Sequence, residues 1–107
     1  MRVFNYSIGV FDKNGKEVNI DREKKVNFMK GLRNMTEIPK IHLMSGEIFS
    51  LGGKVMTEWR TWENDMKRFS RMYPDYMFGV EITKIEGIRL GDSFNSFFKN
   101  GQIVKGD

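Results

Sequence analysis

Two runs of strict alternation bound what this chain can fold into. Between Arg2 and Phe11, the residues Phe4, Tyr6, Ile8 and Val10 fall on one side and Asn5, Ser7 and Gly9 on the other. After Pro74-Asp75 the pattern returns, with Tyr76, Phe78, Val80 and Ile82 alternating with Met77, Gly79, Glu81 and Thr83. A period of two is that of a strand with one buried face, because successive side chains point to opposite sides of a sheet. Such strands need other elements to cover their apolar side.

Two helical segments supply that cover. Asp21 is placed to cap a helix from Arg22 to Met35, whose Phe28, Leu32 and Met35 recur at helical spacing while Gly31 and Asn34 weaken it. A second helix begins near Thr61, a hydroxyl cap, with Glu63 and Asp65 at its positive end and Lys67, Arg68 and Arg71 following. Trp62, Met66, Phe69 and Tyr73 form its apolar stripe, and Pro74 stops it.

Turn signals order the remainder. Asp12-Lys13-Asn14-Gly15 predicts a turn, with Lys16 to Ile20 returning as a strand. Thr36 to Gly53, holding Pro39, Gly46 and Gly52-Gly53, reads as loop with a short strand over Glu47 to Leu51. Ile85 to Gly91 is a glycine-punctuated connection, and Asn100-Gly101 joins Ser93–Phe98 to Gln102–Val104 as a closing hairpin. The expected order is strand or hairpin, helix, strand, helix, then three strands. That order predicts an α+β fold, a ferredoxin-like sandwich with a mainly antiparallel sheet and two helices on one face, as a single domain over residues 1–107.

The length of 107 residues allows one modest core, and nine Phe, three Tyr and two Trp supply bulky residues to fill it. The absence of cysteine rules out a disulfide scaffold, a thiolate metal site and a cysteine nucleophile, and points to a reducing cytoplasm. No run approaches the roughly 20 apolar residues of a membrane span, and Met1 to Tyr6 lacks a signal-peptide apolar region, so neither insertion nor export is expected.

Catalytic chemistry has few carriers in this chain. His42, the only histidine, sits in Ile41-His42-Leu43-Met44 and reads as a structural residue; one histidine excludes a histidine metal cage. Gly52-Gly53-Lys54 lacks the spacing and the following hydroxyl of a phosphate-binding loop, and Ser45, Ser50 and Ser70 lack a nucleophile elbow. Adjacent strands could in principle bring Glu81, Glu86 and Asp92 together about a divalent cation, but scattered carboxylates are ordinarily solvated. No cofactor or metal is expected, and the chain reads as a binding module rather than an enzyme. The net charge of +4 favours anionic surfaces without requiring them. The bases concentrate at Arg22, Lys24, Lys25, Lys30 and Arg33 on the first helix, opposed within it only by Glu23. Such a face meets phosphate, meets an acidic protein surface, or is simply solvated.

One layout in the second half carries a resemblance. Trp62, Asp65, Ser70, Tyr73-Pro74-Asp75, Phe78, Gly91-Asp92 and Phe97-Phe98-Lys99-Asn100-Gly101 follow one another as a Trp-bearing helix, a Pro-Asp corner, an aromatic strand and a final hairpin. From about Phe49 to Val104 this resembles small proteins of bacteriophages, plasmids and other mobile elements with a YubB-like ferredoxin-like domain. Two departures are visible: Thr83 to Leu90 is mixed in charge where an acidic, glycine-rich stretch is common, and Phe94 stands where Trp is common.

The resemblance implies a non-enzymatic protein that occupies the working surface of a host bacterial protein, as anti-CRISPR and other anti-defence inhibitors do, with nucleic-acid-guided effectors among the partners. The residues expected to carry such binding are Arg22, Lys24, Lys25, Lys30 and Arg33 on the helix, with Glu47 and Lys54 in the irregular loop from Met44 to Lys54. A nucleic-acid-binding accessory protein using the same helix is the competing expectation, and a small hydrolase or nuclease resting on scattered carboxylates is a third. Edge strands at either end of the sheet leave both a monomer and a homodimer open.

Overall fold

The structure, a computed structural model, describes residues 4–34, 47–49, 55–86 and 89–106. Five strands and two helices follow in the order β1 (Phe4–Phe11), α1 (Arg22–Arg33), β2 (Val55–Thr57), α2 (Trp62–Met72), β3 (Met77–Glu86), β4 (Arg89–Lys99) and β5 (Gln102–Gly106). The architecture is α+β: an open antiparallel sheet of order β2-β1-β3-β4-β5 with two helices. No described helix is long and apolar enough to cross a membrane.

The alternation of β1 and β3 sets the register. Tyr6 pairs with Ile82, Ile8 with Val80 and Val10 with Phe78, so the apolar rows coincide, and all six side chains are buried. Phe98 of β4 extends the row beside Phe78. Both helices pack on this face. Phe28 and Leu32 of α1 and Met66 and Phe69 of α2 complete one apolar cluster with it. Phe28 is the hub, its ring 5.5 Å from Phe49, 5.7 Å from Phe69, 4.7 Å from Tyr73, 5.8 Å from Tyr76 and 5.5 Å from Phe78. It therefore joins α1, the 3-10 turn Glu47–Phe49, α2 and β3 in one contact set.

Local signals act as their chemistry requires, with four departures. Asp21 caps α1 by accepting a 2.8 Å hydrogen bond from the Lys24 amide, and Asn100 (φ 48°) and Gly101 (φ 84°) form the tight β4–β5 turn. Thr61, by contrast, makes no side-chain capping bond; its hydroxyl donates instead to Asp65 at 2.7 Å. Gly31 is buried at the helix–helix contact, where a Cβ would stand 3.0 Å from the Tyr73 hydroxyl, so its lack of a side chain permits the close approach. The turn at Asp12 forms, its carboxylate accepting from the amides of Asn14 and Lys16, but the return arm makes only a Phe11–Glu17 bridge and a Val18–Val10 bond rather than a strand. Residues 47–49 are a 3-10 turn, not the expected strand; the strand comes later, at Val55–Thr57. The expected connection from Ile85 to Gly91 also shrinks, since β3 runs to Glu86 and β4 starts at Arg89.

Truncating the hub should be costly: Phe28→Ala is expected to lower unfolding free energy by about 3–5 kcal/mol in denaturant titration. On the opposite face, a Cβ on Gly79 would fall 2.7 Å from the Phe97 ring, so Gly79→Ala should cost about 1–3 kcal/mol by the same measurement.

Candidate functional site

Five bases fall on α1, and the helical period divides them. Arg22, Lys30 and Arg33 share one stripe with Val26 between them. Arg22 and Lys30 are exposed, whereas Val26 and Arg33 are half-buried, and the Arg33 Nε is enclosed without a hydrogen-bond partner among the described residues. Lys24 lies on one flank. Its Nζ donates to the Tyr76 hydroxyl at 2.8 Å and sits 5.0 Å from the ring centroid. That bond holds the Lys24 pKa above the usual lysine value. Lys25 lies on the other flank and lines a hollow of about 490 Å³ beside the edge of β1. Adjacency in sequence therefore does not make a five-base patch; three bases share the stripe, with the exposed Glu23 near them.

Of the two loop positions, Glu47 opens the 3-10 turn, its side chain outside the description, and Lys54 lies outside the described residues, as do Met44 to Gly46 and His42. Glu81 and Glu86 stand five residues apart along β3, a backbone separation of about 16 Å, too far to share one cation. The side chains of Glu86 and Asp92 lie outside the description. Among the described residues, no three His, Cys, Asp or Glu side chains converge.

Of the residues that carry the resemblance, Trp62, Asp65 and Ser70 hold the fold together through contacts made from α2. Asp65 is buried, and its Oδ2 accepts from the Trp59 indole at 2.8 Å and from Thr61 at 2.7 Å, while Oδ1 accepts from Arg68 at 3.2 Å. This set fastens the segment before α2 onto the helix and seats Trp59, which is only 1% exposed. Ser70 performs the same task at the other end: its hydroxyl accepts from the Gly101 amide at 2.9 Å and donates to the Lys67 carbonyl at 3.0 Å, tying α2 to the β4–β5 turn. Trp62 packs against Phe98 at 6.0 Å and Phe94 at 6.3 Å.

Sequence reasoning passed over Trp59, whose only signal is a large aromatic six residues ahead of a carboxylate. It also passed over the sheet face that no described element covers. There the signal was present, since Gly9 and Gly79 interrupt both alternating runs at paired positions, and a glycine inside a strand marks close approach by another group.

Asp65→Ala would leave the buried Trp59 indole donor unpaired and is expected to cost about 1–3 kcal/mol in denaturant titration followed by Trp fluorescence. A second expectation concerns alkaline pH. Burial, reinforced by the Glu58 carboxylate, holds the Tyr6 pKa above the ordinary 10.0. The unfolded chain thus releases this proton at lower pH than the folded one, so the folded state binds more protons and loses stability as pH rises beyond 10.0. Tyr6→Phe should remove that part of the alkaline loss, as read from the unfolding midpoint against pH.

Compared with family models, curated proteins and solved structures, the chain matches none of them.

Proposed function

We propose that this is a non-enzymatic binding protein of a bacteriophage or other mobile element, one that occupies the working surface of a host bacterial protein in the reducing cytoplasm and so inhibits or modulates it. Defence effectors guided by nucleic acid are the partner class that the YubB-like, anti-CRISPR-like resemblance favours. The observation that carries the reading is the solvent stripe of α1, where Arg22, Lys30 and Arg33 flank the half-buried Val26. A mixture of Arg with apolar surface is characteristic of protein interfaces. The nearby Glu23 opposes phosphate. Phe11 and Phe97, on the sheet face that no described element covers, lie on the opposite side from α1, so one nucleic-acid strand does not reach both a basic track and a stacking platform. A ferredoxin-like description of the sandwich belongs to the same proposal. Its support is the split β2-α2-β3 unit, whose strands straddle β1.

The test is affinity capture from bacterial lysate with the tagged chain, with and without nuclease. One stoichiometric protein should survive nuclease, and Arg22→Glu, Lys30→Glu and Arg33→Glu together should release it while the far-UV spectrum is unchanged. Retention of nucleic acid alone, lost on nuclease treatment and falling steeply with salt, would overturn the reading in favour of an accessory nucleic-acid binder.

A further inference from the structure

The helices cover one side of the sheet, and no described element covers the other. On the uncovered side, β1, β3 and β4 bring three rows into register: Ser7, Glu81 and Asn95; Gly9, Gly79 and Phe97; Phe11, Met77 and Lys99. The glycine row is bare backbone, and the two phenylalanine rings fold down over it. A Cβ on Gly79 would stand 2.7 Å from Phe97 and 3.0 Å from Phe11. The rings meet edge to face with centroids 5.6 Å apart, so each fixes the other. Beside them lies a hollow of about 170 Å³ whose walls are Ser7, Glu81, Asn95 and the two rings.

The chemistry of this hollow is one-sided. Glu81 is its only ionisable wall, half-buried, and its carboxylate takes no hydrogen bond or ion pair from any described residue. A partly desolvated carboxylate without a partner favours a cation. The Asn95 carbonyl and Ser7 hydroxyl add acceptors, and an aromatic face attracts positive charge. The volume is well below the roughly 300–1,000 Å³ of small-molecule sites and suits a single side-chain head group. Among cationic heads, a guanidinium is planar, carries donors in a fork that matches a carboxylate, and stacks on an aromatic ring; an ammonium is compact and more strongly hydrated.

We propose that this face receives an arginine side chain of a partner protein, with its guanidinium paired to Glu81 and laid against Phe97. The negative hollow on a chain of net charge +4 selects a basic segment against the general charge of the molecule. Because it lies on the opposite side of the sheet from α1, the proposal stands apart from the reading of the basic stripe.

The test is an NMR titration of the full isotope-labelled chain with N-acetyl-arginine N-methylamide. Saturable shifts at the amides of Gly79, Glu81 and Asn95 are expected, with a dissociation constant on the order of 1–10 mM. The neutral isostere N-acetyl-citrulline N-methylamide should bind at least about tenfold more weakly. Glu81→Gln, a change outside the core, should weaken arginine binding at least about fivefold while the spectrum stays dispersed. An equal response to the citrulline compound would overturn the proposal, as would indifference to Glu81→Gln or the lack of any saturable shift. A stronger response to the lysine analogue would overturn the guanidinium assignment. The citrulline comparison uses the unaltered chain, so it decides the matter even where the variant misfolds.

Discussion

The fold depends on the ring of Phe28. It meets the 3-10 turn, the second helix and the central strand at once, through Phe49, Phe69 and Phe78. Aromatic pairs in edge-to-face geometry add directional preference to the area they bury. Such a hub does more than fill space: it fixes the angle at which α1 enters and therefore which of its side chains remain in water. The stripe of Arg22, Lys30 and the half-buried Arg33 faces outward because Phe28, Met29 and Leu32 face inward.

Around that hub, polar ties hold the periphery. Asp65 gathers Trp59, Thr61 and Arg68, and Ser70 clasps the final turn through Gly101. Both Asp65 and Ser70 are buried, and each is satisfied by named partners, as burial demands. Asp65 and Ser70 thus make α2 a fastening between the segment before it and the hairpin after the sheet's third strand. A layout of this kind reports architecture. Function has to reside on the surfaces that the architecture leaves exposed.

Two such surfaces differ in character. The outer stripe of α1 is basic with an apolar centre, while the sheet face that no described element covers is aromatic and holds Glu81, which has no partner among the described residues. They lie on opposite sides of the sheet, so a partner that used both would have to reach around an edge. The edge strand β5 is itself partly apolar, with Ile103 41% and Val104 51% exposed. It offers backbone for pairing to another strand, whether of a second copy or of a partner.

Much of the fold was legible in the sequence. The period of two in β1 and β3, Asp21 as a cap, the stop at Pro74 and the turn at Asn100-Gly101 are local rules of sterics and hydrogen bonding, and the chain obeys them. The order of elements followed from the same rules. What the sequence did not reveal required distance. Thr61 looked like a cap until Asp65 captured its hydroxyl, and Gly31 looked like a weakness until Tyr73 came close to it. The five bases of α1 looked like one patch, and the hub's burial split them between a stripe and two flanks. The Glu81 hollow is the clearest case: its walls come from three strands, and only the pairing of Gly9 with Gly79 opens the floor on which Phe97 lies. Local propensity is written in neighbouring residues, whereas a site of this kind arises from register between residues far apart in the chain, and register is decided by the packed core.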